Sequence, residues 1–184
     1  RNSGTQAATH ELIAYIDSDC VASPDWLSAL IPYMQDERIA MVGGEIRAYD
    51  CTATIGRYED ICSSLYMGSR LQRVRHEGPL TYLPTANLLI RKSAWQHLHG
   101  FKSLSQGEDV DFCRRLLATG KHIFYVPQGT VYHDYRKDVK AFLGIRTAYA
   151  TAEASLLKLH PDERRVLVLP PEQASFAGLI ISAL

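Results

Sequence analysis

The chain has no excess of charge of either sign: 20 Lys and Arg stand against 20 Asp and Glu in 184 residues. A balanced surface offers no field for holding nucleic acid or another polyanion, so no nucleic-acid partner is expected. No Cys-x-x-Cys pair occurs among the four cysteines, Cys20, Cys51, Cys62 and Cys113. Scattered in unlike contexts, they suit neither a zinc knot nor a disulfide framework, and buried free thiols in the reducing cytoplasm are expected. Internal repeats and low-complexity stretches are missing as well. No Met or signal peptide precedes Arg1, and the final apolar run from Phe176 to Leu184 falls short of the roughly 20 residues that span a bilayer. From these ends a fragment is expected, with its C-terminal side leaving room for membrane association. What remains is an ordinary globular composition, 46% hydrophobic and 22% charged, sufficient for about one domain.

The sequence is organised around Leu12-Ile13-Ala14-Tyr15-Ile16, an apolar run that ends in Asp17-Ser18-Asp19-Cys20. Apolar residues without helical period predict a strand buried on both faces, at the centre of a parallel sheet. Asp17 and Asp19 then project to one side just past its carboxyl end, where open α/β sheets bind their ligands. Such a pair can hold Mg2+ or Mn2+, hard cations that complete their shell with phosphate oxygens and water. The same residues also fit a plainer role, with Asp17 starting a turn and Asp19 capping a helix.

Downstream, Ser23-Pro24-Asp25-Trp26 predicts a helix start with Ser23 as N-cap and Pro24 at the first helical position. Trp26, Leu27, Leu30, Ile31 and Met34 supply its sheet-facing stripe, and Pro32 weakens its second half. Ile39 to Ile46 reads as one strand, in which Gly43-Gly44 marks a bulge, the preferred reading, or a close backbone approach. From Gly56 to about Val74 the pattern is helical, with Tyr58, Ile61, Cys62 and Leu65 on the inner stripe. That helix and the loop from His76 to Thr81 are expected to shape acceptor specificity. Thr85-Ala86-Asn87 predicts a turn before a short strand ending at Arg91, and Lys92 to Leu98 a short helix closed by Gly100. A functional asparagine and a turn-forming one look alike here, and the turn is the simpler reading.

A second constellation lies in Gly107-Glu108-Asp109-Val110-Asp111, the start of a helix that buries Val110, Cys113, Leu116 and Leu117 and ends at Gly120. Acids in a first turn satisfy free N–H groups and the helix dipole without further duty. Three acids exceed that need, and a carboxylate fixed at a helix start has rigid support for general-base work. Lys121 to Pro127 predicts another strand. His133, after a further strand at Val131, is a structural hydrogen-bonder or a ligand to a cation held by Asp19.

In order and spacing, Arg1-Asn2-x-Gly4, Asp17-Ser18-Asp19, Gly43-Gly44, Thr85-Ala86-Asn87, Gly107-Glu108-Asp109-x-Asp111 and His133 resemble the later part of the family 2 glycosyltransferases, inverting enzymes of GT-A fold. The resemblance implies an α/β fold with a mixed sheet flanked by helices, N-terminally truncated, and a C-terminal helical extension. It also implies roles. Arg1 and Asn2 would reach the nucleotide or its diphosphate, and Asp17 the ribose or a metal-bound water. Asp19 and His133 would ligate Mg2+ or Mn2+. Ala86 and Asn87 would line the sugar and acceptor pocket, with Glu108 a sugar or acceptor contact and Asp109 the general base.

Residues 137–184 resemble the mycofactocin-system members of that family, through the helix bearing Arg146 and Tyr149, then Leu159-His160-Pro161 and Leu169-Pro170-Pro171. This implies a UDP-sugar donor, glucose by preference, and a small-molecule, peptide-derived or glycan acceptor. Tyr149-Ala150 replaces the Tyr-Gly step of that group, and the Gln-x-x-Arg-Trp motif of processive synthases is missing after His133. Two domains are expected: the later part of a GT-A domain over 1–136 and a helical extension over 137–184. The cytoplasm, or the cytoplasmic face of a membrane, is the expected location. An Mg2+-dependent nucleotidyl or phosphoryl transferase would use Asp17 and Asp19 in the same way, and a non-catalytic sugar-binding relative would keep the fold alone. Without the first strands of a GT-A domain, these residues alone are expected to bind UDP weakly.

Overall fold

The computed structural model describes residues 1–161. The first half holds α1 (Asn2–Ala7), β1 (Leu12–Ile16), β2 (Cys20–Ala22), α2 (Trp26–Leu30) running into a 3-10 turn (Ile31–Gln35), β3 (Ile39–Gly43), β4 (Ile46–Ala48) and α3 (Thr54–Cys62). The second half holds β5 (Gln72–Arg73), β6 (Asn87–Arg91), α4 (Lys92–His97), α5 (Glu108–Ala118), β7 (His122–Tyr125), β8 (Val131–His133) and α6 (Val139–Leu159). Five strands form a mixed sheet in the order β1-β6-β3-β7-β5, and three form a second sheet in the order β2-β8-β4. Within the first, only β3 and β7 are parallel.

Each face of the five-stranded sheet has its own core. Leu88 and Ile90 of β6 point with Ile13, Tyr15, Met41 and Ile123 toward Phe101, Phe112 and Leu116 on the α5 side. Leu89 and Val42 point the other way, onto Leu30 and Met34. The register of β3 against β7 slips between Ile39 and Met41, which places Ala40 and Met41 together on the α5 side.

Strand β1 is an edge strand paired antiparallel with β6, and the central, doubly buried strand expected from its composition is corrected accordingly. Its burial alternates, and Ile16 is 38% exposed. Alternation arises because α2 and the 3-10 turn cover β3 and β6 but leave most of the same face of β1 open. At α2, Asp25 rather than Ser23 holds the N-cap position, and Ser23 Oγ donates to Asp25 Oδ1 at 2.7 Å. Pro24 therefore precedes the helix, while Pro32 sits where α-geometry gives way to the 3-10 turn.

The segment Ile39 to Ile46 is two strands, not one. The chain leaves the first sheet after Gly43 and enters the second at Ile46, so the glycines form a crossing. A Cβ on Gly44 would lie 2.6 Å from Asn87 Nδ2 and 2.9 Å from the Gln128 carbonyl oxygen, which makes this the close approach and not the bulge. Those neighbours are a buried amide and a main chain, and neither can yield cheaply. Gly44→Ala is expected to destabilise the protein by about 1–3 kcal/mol in urea unfolding; a change below about 0.5 kcal/mol would contradict the close approach.

Helix α3 ends at Cys62, well before the expected Val74, because Ser63 turns extended at ψ 151° and its Oγ accepts from the Leu65 N–H at 2.9 Å. Its buried residues are Gly56 and Glu59, whereas Tyr58 and Ile61, placed inward by periodicity, are 47% and 62% exposed. Glu59 is buried against Arg146 of α6, with Nη2 at 3.2 and 3.3 Å from its carboxylate oxygens. Left-handed glycines bound α5, Gly107 at φ +82° and Gly120 at φ +81°. Asp138 caps α6, accepting from the Ala141 N–H at 2.9 Å. All four cysteines are free, but only Cys113 is buried, and Cys51 and Cys62 are exposed, correcting that expectation. Among the described residues no helix is long and apolar enough to cross a membrane. The run Phe176 to Leu184 and Leu169-Pro170-Pro171 lie outside them.

Candidate active site

The carboxyl end of β1, the start of α5, the end of β8 and one face of α6 meet around a cleft with two adjoining lobes. The first, a cavity of about 290 Å³, is lined by Arg1, Asp17, Ala86, Glu108, Asp109 and His133 among others. The second lies beside it and adds Asp19, Tyr135, Arg136 and Arg146. Seven of the nine residues expected from sequence therefore share one cleft. Asn2 and Asn87 do not line it.

Both asparagines hold main chain together. Asn2 donates to the Phe101 carbonyl at 2.8 Å and accepts from the Phe101 N–H at 3.0 Å and Trp95 Nε1 at 3.2 Å. Asn87, fully buried, donates to the carbonyls of Glu45 (2.7 Å) and Gly129 (2.8 Å) and accepts from Trp26 Nε1 at 2.7 Å. Both donors of the Asn87 amide are thus satisfied by the crossing between the sheets.

Around the cleft, charge is arranged in a chain. Arg1 pairs with Asp17 at 3.1 Å and with Glu108, bridging the end of β1 to the start of α5. Asp17 starts a turn, its carbonyl accepting from the Cys20 N–H at 3.1 Å, so the plain turn role and an exposed carboxylate coexist. Asp19 is not a cap; it lies 3.7 Å from His133 Nε2 and 3.9 Å from Arg136 Nη1. Asp109 accepts from the N–H of Val110 at 2.8 Å, and burial still pushes its carboxyl above the ordinary range. Burial pushes His133 below its ordinary value against the pull of Asp19 and Asp17, which favours the neutral imidazole. The third acid of the α5 first turn, Asp111, faces away and is fully buried.

Residues 12–172 match the model of glycosyl transferase family group 2. The chain belongs to that family. A curated relative, pre-mycofactocin glycosyltransferase of Mycobacterium tuberculosis, is 33% identical over 171 residues, 92% of this chain and 36% of the relative. The chain thus spans about a third of the length of the curated relatives it matches. A mannosyltransferase from Pyrobaculum calidifontis, solved with GDP-Man and Mn2+, superposes with TM-score 0.60 at 15% identity, covering 92% of this chain and 44% of that one. A GalNAc transferase solved with UDP, GalNAc and Mn2+ gives TM-score 0.53 at 17% identity over 75% of this chain and 30% of that one. At such identities the likeness is one of fold, and it bears out the α/β, GT-A architecture.

In this family-2 chain the residues beside Asp19 fit a divalent cation. Ligand atoms of Asp19, Cys20 and His133 all lie within 4.8 Å of one another, and the His133 ring turns Nε2 toward Asp19 at 3.7 Å. A carboxylate and a neutral imidazole are suitable donors. Sequence reasoning missed Arg136 beside Asp19, Tyr82 in the first lobe, and the use of Tyr149, Ala152 and Leu156 of α6 as a wall, whereas Leu65, in the segment expected to shape acceptor specificity, does line that lobe. The i,i+3 spacing of Arg146 and Tyr149 on a long helix was the available signal for that wall. The loop from His76 to Thr81 does not line either lobe.

Proposed function

We propose that the cleft transfers a sugar, glucose by preference, from a UDP-sugar to an acceptor hydroxyl with inversion at the anomeric carbon. The observation that carries this reading is the division of one cleft between Asp109 in one lobe and Asp19 in the other, with His133 at the junction lining both. In an inverting displacement the acceptor oxygen bonds to the anomeric carbon as the bond to the diphosphate oxygen breaks, so base and leaving group need separate places. Asp109 takes the acceptor proton, and its raised affinity for protons makes it a better base than an ordinary aspartate. Arg1, Arg136 and Arg146 put positive charge beside the departing diphosphate. A divalent cation held by Asp19 and His133 would neutralise charge developing there. Two carboxylates flanking a bond for hydrolysis would need no such cation.

The likeness to the pre-mycofactocin glycosyltransferase supports a pre-mycofactocin-type acceptor in this reading, held against Tyr82, Ala86 and Tyr149. With the full-length protein, the anomeric configuration of the first-formed product, read by NMR, should be β from an α-linked donor; an α-product would overturn inversion. Asp19→Ala should lower kcat/KM at least about a hundredfold, since charge neutralisation at a leaving phosphate contributes several kcal/mol. Retention of wild-type activity in Asp19→Ala would remove it from the metal site.

A further inference from the structure

Strands β2 and β8 pair antiparallel with Cys20 directly opposite His133. Their neighbours Val21 and Tyr132, also a pair, are 53% and 40% exposed, so Cys20 shares the opposite face with His133, which itself lines the cleft. The backbone pins the third member: the Asp19 carbonyl accepts from the Asp134 N–H at 2.8 Å. Cys20 Sγ lies 4.0 Å from Asp19 Oδ1, and the thiol, imidazole and carboxylate ligand atoms fall within 4.8 Å of each other. Tetrahedral ligands at bonds of about 2.0–2.3 Å stand roughly 3.5 Å apart, so a modest contraction closes the set.

We propose that Cys20 is a ligand alongside Asp19 and His133, giving the cleft a thiolate-containing site that takes Zn2+ or Co2+ more tightly than Mg2+ or Mn2+. The inference rests on the metal position in the proposed function and adds the donor that decides which cation is held. Carboxylate alone suits hard cations, whereas a thiolate beside imidazole suits Zn2+ and Co2+, and Mn2+ stands lowest in the general affinity order. Burial and the carboxylates of Asp19 and Asp17 push the Cys20 thiol up to about 12, so the bound cation has to displace the thiol proton to solvent, with no change of oxidation state. A fourth position stays open for water or a substrate phosphate oxygen.

The test is to add Co2+ to the full-length protein and record its absorption, with Zn2+ and Mn2+ affinities measured by calorimetry. A near-ultraviolet thiolate-to-cobalt charge-transfer band is expected in wild type and in Cys51→Ser and Cys62→Ser, but not in Cys20→Ser. Zn2+ should bind at least about tenfold tighter than Mn2+, and Cys20→Ser should narrow that ratio at least about tenfold, to what carboxylate and imidazole alone give. Co2+ that competes with Mn2+ without producing the band, or a band that survives in Cys20→Ser, overturns the thiolate ligand and leaves the transferase reading standing. Binding of no divalent cation, with Asp19→Ala indistinguishable from wild type, overturns both.

Discussion

Asp109→Asn is expected to lower kcat of the full-length protein by about 10²- to 10⁴-fold, the range a positioned base contributes, with the KM for the donor little changed. The substitution keeps the shape of the side chain and the hydrogen bond it accepts from the Val110 N–H at 2.8 Å, but removes the ability to take a proton. Arg1 and Glu108 remain paired in the same cleft, so donor contacts persist. Because burial raises the Asp109 carboxyl and the base must be ionised, activity of the wild type should fall on acidification at a pH above the ordinary aspartate value of about 3.9. A kcat/KM profile whose acidic limb lies at or below that value, or wild-type kcat in Asp109→Asn, would take the base role away from Asp109.

The second large effect concerns stability. Asp111 is fully buried and accepts from Arg115 Nε at 2.8 Å, with Lys102 Nζ at 3.2 Å and His160 Nε2 at 3.0 Å. Arg115 in turn donates to the carbonyls of Leu98 and Gly100 at 2.8 and 2.9 Å, so Asp111 ties α5 to the close of α4 and to the residue that ends α6. Removing one partner of a buried ion pair leaves the other uncompensated, at about 3–5 kcal/mol. Asp111→Ala should lose that much in urea unfolding. Lys102 is too exposed to carry much of it, so the loss rests on Arg115. Burial opposes ionisation of Asp111, but Arg115 and Lys102 outweigh it and hold its carboxyl below the ordinary value. The stabilisation is therefore complete above the unfolded aspartate pKa and disappears as pH falls through the lower, folded value. A loss under about 1 kcal/mol would mean that the network is not coupled to folding.

Features that depend on a residue's own backbone were legible in the sequence. Gly107 and Gly120 bound α5 because each takes a positive φ, and Gly100, at φ +78°, closes the turn after α4 for the same reason. The Asp17-Ser18-Asp19 turn could be placed because an apolar strand stops at it. Features set by distant partners could not. The run Leu12 to Ile16 is equally apolar at an edge or a centre, and only pairing with β6 decides. Glu59 reads as a solvent-facing acid until Arg146, 87 residues later, buries it and turns Tyr58 and Ile61 outward. Asp111 looks like a third helix-capping acid, yet its partner His160 is 49 residues away. Asn87 is drawn from the cleft by partners at positions 26, 45 and 129.

The most direct test of the central claim is release of UDP from UDP-glucose by the full-length protein, with an acceptor, in the presence and absence of added divalent cation. Turnover that requires the cation and is lost in both Asp109→Asn and Asp19→Ala is the result expected from a cleft that separates base and cation. Turnover indifferent to chelation, or none with any UDP-sugar while nucleoside triphosphates are consumed, would contradict it.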